Sequence, residues 1–225
     1  MTKKKKIGKL STFGRFILIL LAAGAACFFF FYPAILSTAG RYLAPEGTGG
    51  AEVVILEGAE VVKESAVRIG LNFISTGRAE RLVIVYQNAD NDGIFGLSPG
   101  YDLFLAQKLG DRGLKEDQIQ ILRVQQVHPI TLTEAQYVLS DLSRKKVQRA
   151  ILVAEDFHTR RSYWTYKGIG APLGIDIIPY PNFPMFKSDN WWQEGMGVRS
   201  FLGESVKFFY YWCRGYIPFK SLAVN

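Results

Sequence analysis

An uninterrupted apolar run near the N-terminus constrains this chain more than any other feature. From Phe16 to Leu36 the chain reads FILILLAAGAACFFFFYPAIL, with no charged residue in its 21 positions. At about 1.5 Å per residue such a helix is about 31 Å long, the thickness of a membrane's hydrocarbon core. Lysines precede the run, and positive flanks stay in the cytoplasm. The sequence therefore predicts a basic cytoplasmic tail over residues 1–15, one transmembrane helix over residues 16–36, and the rest of the chain across the membrane.

A cleaved signal is the alternative to a permanent anchor. Ala23–Ala26 offers the small residues of a cleavage site, but the aromatic FFFFY sequence follows and continues the membrane segment. Cys27 would be the acylated residue of a lipoprotein signal, yet Gly24 stands where a large aliphatic residue is usual. Length and flanks favour the uncleaved anchor.

The basic charge of the chain is concentrated in its N-terminal tail. The formal net charge is +7, from 27 Lys and Arg and 20 Asp and Glu, and six cationic residues but no acidic one lie within residues 1–15. Subtracting those six from seven leaves +1 for residues 16–225, so no nucleic-acid partner is predicted. With two cysteines, two histidines and no CxxC motif, neither a disulfide nor a metal site is expected.

The remainder of the chain is predicted to be a short linker and one α/β domain. Residues 37–50 are rich in Gly, Pro, Ser and Thr, and residues 51–220 alternate apolar runs with helical patterns. Continuous Val, Ile and Leu runs are typical of parallel strands buried on both faces, so we expect a three-layer Rossmann-like, mostly parallel sheet. The predicted strands are Val53–Leu56, Arg81–Tyr86, Ile119–Val124, Arg149–Ala154 and Ile175–Pro179. The predicted helices are Glu60–Thr76, Tyr101–Arg112, Thr131–Lys145, His158–Ile169 and Val198–Arg214.

The loop after the fourth predicted strand is the strongest candidate for a functional site. Ligands in such sheets bind at the carboxyl ends of strands, close to helix N-termini. Here that position holds Asp156, His158, Arg160 and Arg161. His158 would act as a general acid or base, and the arginines would hold a phosphate or carboxylate. The alternative is a helix capped by Asp156 with a solvated, charged first turn.

Two other strand ends offer weaker candidates. Thr131 and Glu134 have the spacing of a helix capping box, which accounts for both residues without a ligand. Glu57 and Gly58 end the first strand, where glycine permits either a close approach to a ligand or only a turn. GxGxxG and GxxxxGK are both absent, so the cofactor, if any, is unknown.

The order of these pieces resembles the SanA/YdcF/ElyC family of bacterial envelope proteins. The matching pieces are AEVVILEG (residues 51–58), STGRAERLVIVYQ (75–87), ITLTEAQ (130–136) and ILVAEDFHTRRS (151–162), and the resemblance covers about residues 51–217. His158, Arg161 and Thr131 match the family's motif residues, whereas Glu134 stands where Asn is usual and Glu57 where Gly is usual. The resemblance implies a Rossmann-like domain tethered to the bacterial inner membrane, with a role in envelope or lipid-carrier metabolism.

Three classes of function remain open at this point. An enzyme would use His158 and Glu57 as catalytic groups on an anionic envelope metabolite, such as a phosphorylated lipid-linked glycan precursor. A binding module would hold the same ligand without turnover. In both cases the ligand-binding residues are predicted to be Arg161, Arg160, Thr131, Glu134, Gly58 and Asp156. A structural partner of membrane lipid and other envelope proteins would instead use the aromatic run Phe208–Trp212.

Overall fold

The structure, a computed structural model, describes residues 12–59, 61–88 and 101–222. Within these residues five β-strands alternate with α-helices, as the pattern of apolar runs predicts. The strands are β1 (Val53–Ala59), β2 (Arg81–Asn88), β3 (Ile119–Gln125), β4 (Arg149–Glu155) and β5 (Asp176–Asn182). The helices are α1 (Thr12–Leu43), α2 (Glu64–Ser75), α3 (Tyr101–Gly110), α4 (Ile130–Arg144), α5 (Thr159–Gly170) and α6 (Gly195–Cys213). The predicted loop pair Glu57–Gly58 belongs to β1, whose pairing with β2 is irregular between Leu56 and Ala59.

The five strands form one parallel sheet in the order β3-β2-β1-β4-β5. This confirms the Rossmann-like α/β fold. The chain builds outward from β1 to β3, then crosses back over β2 and β1 through α4 and continues with β4 and β5. The carboxyl ends of β1 and β4 therefore flank the topological switch point, where open α/β sheets bind their ligands.

Helices cover both faces of the sheet. Val53, Ile55, Val83, Val85 and Leu152 point to the face that packs against α4, α5 and α6. Alternate positions, including Val54, Ile84 and Val153, pack against α2 and α3. The apolar runs predict seven core residues, namely Val53, Ile55, Val83, Val85, Ile121, Leu152 and Val153. Six of them are buried, and Ile121 is only partly buried because β3 is an edge strand.

The last turns of α1 pack against the domain. Residues 37–43, expected to be linker, continue α1, and Leu43 and Ala44 are buried with Phe157, Phe186 and Trp191. Trp191 Nε1 donates a hydrogen bond to the Leu36 carbonyl at 2.9 Å. A side chain on Gly40 would collide with the Ser188 carbonyl oxygen, 2.1 Å from the ideal Cβ position. These contacts connect α1 to the domain without a free spacer.

No single helix in the described part of the chain is both long and apolar enough to cross a membrane. The segments Phe13–Ala26 and Phe28–Leu43, which are bent by 53° relative to each other, meet those requirements only as a pair.

The aromatic run in α6 divides between core and surface. Phe208 and Tyr211 are buried, whereas Phe209 and Tyr210 are 59% and 52% exposed. Packing inside the domain thus explains why Phe208 and Tyr211 are aromatic, and it does not explain Phe209 and Tyr210.

Candidate functional site

The site is centred on His158, between two carboxylates at the switch point. His158 follows β4 and its Nε2 lies 2.9 Å from Oε1 of Glu57, at the end of the neighbouring β1. On the other side of the ring, Nδ1 lies 3.3 Å from Oε2 of Glu204 in α6. The two carboxylates fix the ring's orientation and leave 23% of the side chain exposed to the cleft.

Ser162 completes the contacts of the ring. It lies one turn after His158 on α5, so both side chains share a face of that helix. Its Oγ lies 2.9 Å from His158 Nε2 and donates a hydrogen bond to Glu57 Oε1. Ser162 is fully buried, which places its hydroxyl beneath the imidazole and away from the cleft.

The two carboxylates make His158 a stable cation. Burial and the Arg161 guanidinium lower the pKa of His158, but Glu57 and Glu204 outweigh both and raise that pKa to about 9. Burial raises the pKa of Glu204, and His158, Arg161 and Lys207 together bring it well below its usual range. Of the two roles predicted for His158, general acid and general base, this environment favours the acid. At neutral pH His158 can donate protons or attract anions, but it cannot act as a general base.

Arg161 joins three helices behind His158. Its Nε donates to Glu204 Oε2 at 3.0 Å and its Nη1 to Thr131 Oγ1 at 2.8 Å, while the guanidinium lies 4.8 Å from the Tyr211 ring centroid. The residue is only 6% exposed. Thr131 therefore orients Arg161, and the predicted grouping of Thr131, His158 and Arg161 is present.

Glu134 lies on the far side of the same network and does not cap its helix. Its carboxylate accepts hydrogen bonds from the Gly58 amide at 2.9 Å, Tyr166 Oη at 2.7 Å and Gln87 Nε2 at 2.6 Å. The capping-box interpretation is wrong, because Pro129 is the N-cap of α4 and no side chain caps this helix. Burial, followed by the charge of Glu57, raises the pKa of Glu134. A Cβ on Gly58 would lie 2.3 Å from Glu134 Oε2, so glycine is required for this contact.

Arg160 does not reach the site. Its Nε donates to the Ser221 carbonyl at 3.2 Å and its Nη1 to the Tyr42 carbonyl at 3.0 Å, and the guanidinium stacks 3.7 Å from the Tyr42 ring centroid. Successive helical residues point in directions about 100° apart, so neighbours of a site residue need not share its site. Arg160 instead ties the end of α1 and the C-terminal segment to α5.

Asp156 lies in the cleft in a strained conformation. Its φ is 47°, rare for a residue with a side chain, and it caps neither of the helical turns that follow. Its Oδ1 is buried without a hydrogen-bond partner in the described structure. Burial, followed by the charge of Glu155, raises the pKa of Asp156 to about 7. Asp156 can therefore exchange a proton near neutral pH, the role that was expected of His158.

Two clefts meet at His158. One, of about 580 Å³, also touches Asp156, Arg199 and Glu204, and the other, of about 540 Å³, touches Gly58, Gln87, His128 and Thr131. His158, Arg161 and Lys207 line both. Glu57 lies behind this wall, with its side chain 6% exposed and its Oε2 buried without a hydrogen-bond partner among the described residues.

Several site residues were not found from the sequence. Ser162 and Tyr166 lie four and eight residues after His158, so helical spacing alone could have indicated them. Gln87 lies at the carboxyl end of β2, so the strand-end rule could have indicated it. Glu204, Lys207 and Arg199 come from α6, which begins far from any strand end, and an isolated acid in an apolar, aromatic helix is the only hint of Glu204.

No group of three or more His, Cys, Asp or Glu side chains within residues 12–59, 61–88 and 101–222 has the geometry to hold a metal ion. His158, Arg161 and Lys207 pair with the carboxylates of Glu57 and Glu204. The chemistry that these side chains offer is proton donation and the binding of anions and hydroxyl groups.

No protein-family model matches the chain, and no curated protein matches it. A solved structure titled as a universal stress protein in complex with cAMP is similar over 57% of this chain and 98% of that one. The sequence identity is 13% and the TM-score 0.30, and a similarity of that size carries no argument about ligand or function.

Proposed function

We propose that this chain is a membrane-anchored envelope protein whose α/β domain binds an anionic, hydroxyl-bearing metabolite. A phosphorylated sugar of a lipid-linked glycan precursor has that chemistry. The observation that supports the proposal is the wall of His158, Arg161 and Lys207 at the meeting point of two clefts. The resemblance of residues 51–217 to the SanA/YdcF/ElyC family supports the same assignment to the inner membrane of bacteria.

The charges of the wall favour an anion in the larger cleft. The negative charges of Glu57 and Glu204 balance the positive charges of His158 and Arg161. Arg199, in contrast, forms no ion pair with any described residue. Lys207 pairs with Glu204, but its side chain is 60% exposed. Arg199 and Lys207 are eight residues apart on α6, about 12 Å along the helix. Gly203 lies between them and leaves the space open. This spacing suits an extended anion with two charged groups, such as a diphosphate.

Binding of inorganic diphosphate tests the proposal. Isothermal titration of the full chain in detergent is expected to show binding that weakens about tenfold in the double variant Arg199→Gln/Lys207→Gln, since two exposed charge contacts are each worth up to about 1 kcal/mol. The matched control is Arg68→Gln, an exposed arginine on α2. Equal affinity of the double variant and the wild type would exclude this cleft as the anion site.

Turnover is the second candidate, and Asp156 favours it. A strained residue with an unpartnered carboxylate oxygen beside a cationic histidine provides a proton acceptor next to a donor. His158→Gln separates the two candidates in a deletion strain of the source organism. It should abolish complementation by an enzyme that uses His158 as its acid, and it should only weaken a binding module.

The topology is tested separately. Because six positive charges precede the apolar run, the N-terminus should lie in the cytoplasm and the domain outside it. A C-terminal alkaline phosphatase fusion should be active, and a C-terminal cytoplasmic reporter should be silent. The reverse pattern would reject this topology and the envelope assignment together.

A further inference from the structure

A second cavity lies between the end of α1 and the domain, apart from the cleft at His158. Its volume is about 790 Å³. Ile35, Ala39 and Tyr42 line it from α1, Arg160 and Tyr163 from α5, and Pro179 from β5. The sequence gives no sign of it, because its walls come from three separate parts of the chain.

The cavity lies at the level of lipid headgroups, if residues 16–36 span the bilayer as the proposed function requires. Headgroup layers add about 5–7 Å on each side of a hydrocarbon core of about 30 Å. From Ile35 to Tyr42 a helix rises by about 10 Å. The cavity therefore opens beside α1 just outside the hydrocarbon core, where a phospholipid presents its phosphate and glycerol.

The charges at the cavity match a zwitterionic headgroup. Arg41 lines the cavity, and its guanidinium donates to Ser37 Oγ at 2.6 Å and to Thr38 Oγ1 at 3.4 Å, both neutral partners. Glu46 lines the same cavity. Neither residue forms an ion pair with another residue that the structure describes. One exposed cation and one exposed anion on a partly apolar cavity offer a partner to each charge of phosphoethanolamine.

We infer that this cavity binds the headgroup of a zwitterionic phospholipid. The phosphate lies against Arg41, with the buried guanidinium of Arg160 adding to the positive potential of the inner wall. The ammonium lies against Glu46. The glycerol and the first acyl carbons pack on Ile35, Ala39 and Pro179. Such a lipid would fill the space between anchor and domain and hold the domain close to the membrane.

Native mass spectrometry of the full chain, released from nanodiscs with equal phosphatidylethanolamine and phosphatidylglycerol, tests the inference. The wild type should retain one phosphatidylethanolamine. Glu46→Lys should reverse the preference towards phosphatidylglycerol, by about threefold or more, because it replaces attraction for the ammonium by repulsion. Arg68→Glu, a charge change on α2, is the matched control and should keep the wild-type preference.

A second pair of variants tests the cavity itself. Ala39→Trp should fill it and remove the retained lipid, whereas Ala34→Trp, on an exposed position of α1 outside the lining, should retain it. Loss of lipid in Ala39→Trp together with the reversal in Glu46→Lys supports the site. Equal retention of both lipids by the wild type, or an unchanged preference in Glu46→Lys, overturns it. If the chain inserts with the expected topology but retains no lipid, only the lipid-binding inference is rejected. If the topology test fails, the proposed membrane orientation is rejected instead.

Discussion

Val153→Asp is expected to destabilise the α/β domain by several kcal/mol at 25 °C. Val153 is 3% exposed in β4, where it pairs with Leu56 on one side and Tyr180 on the other. A carboxylate there would be surrounded by the apolar side chains that face α2 and α3. The cost of burying an unpaired charge or of forcing its protonation should exceed about 3 kcal/mol, a large part of the about 5–15 kcal/mol that stabilises a typical domain.

Urea unfolding of the detergent-solubilised full chain, followed by far-UV circular dichroism, measures the effect. Val61→Asp is the matched control, because it makes the same change at a residue that is 67% exposed. The control should shift the free energy of unfolding by no more than about 0.5 kcal/mol. If Val153→Asp unfolded at the same urea concentration as Val61→Asp, β4 could not be a central strand buried on both faces.

The pattern of apolar runs carried most of the information about the fold. All five strands lie where they were expected, because strands buried on both faces leave continuous Val and Ile runs. The order of the strands was not predictable in the same way. Glu57, Thr131 and His158 follow the first, third and fourth strands, so bringing them together predicts that these strands are neighbours. In the structure β2 separates β1 from β3. Thr131 and Glu134 still reach β1 because α4 crosses back over the sheet on its way to β4.

The site was predictable only where it lies at strand ends. His158, Glu57 and Gly58 follow from the rule for parallel sheets, and Arg161 follows from its helical spacing to His158. Thr131 and Glu134 were predicted to bind a ligand, with a helix cap as the alternative, because the same spacing serves both purposes. Only the fold shows that Arg161 contacts Thr131 and that Gly58 contacts Glu134. Glu204 contacts His158 and Arg161 across 46 and 43 positions of sequence, and no local pattern indicates contacts of that kind.

The free energy of unfolding is expected to fall as the pH rises from 7.5 to 9.5. The pKa of His158 is 6.5 in an unfolded chain and about 9 in the folded protein. The folded state therefore holds a proton that the unfolded state releases, and stability decreases with pH in this interval. Each pKa unit of difference corresponds to about 1.4 kcal/mol, so the protonation of His158 contributes about 3 kcal/mol to the free energy of unfolding below pH 6.5. About 2 kcal/mol of this contribution should be lost as the pH rises above 7.5.

Asp156 titrates in a neighbouring interval but should not obscure this slope. Burial raises its pKa to about 7, so its ionisation costs the folded state stability mainly between pH 4 and 7. Above pH 7.5 Asp156 is largely ionised in both states and adds little further change. The interval from pH 7.5 to 9.5 therefore reports mainly on His158.

Glu204→Gln provides the decisive comparison. The amide removes one of the two carboxylates that stabilise the imidazolium, so the pKa of His158 should fall and the slope between pH 7.5 and 9.5 should shrink by about half. The variant also removes a partner of Arg161 and should be less stable at every pH, which is why the slope, and not the midpoint, is the measurement. Glu194→Gln, at an exposed carboxylate that begins α6, is the control and should keep the wild-type slope. A wild-type stability that stays constant across this interval would mean that His158 is neutral there, and the cationic wall proposed for the anion would lose its central charge.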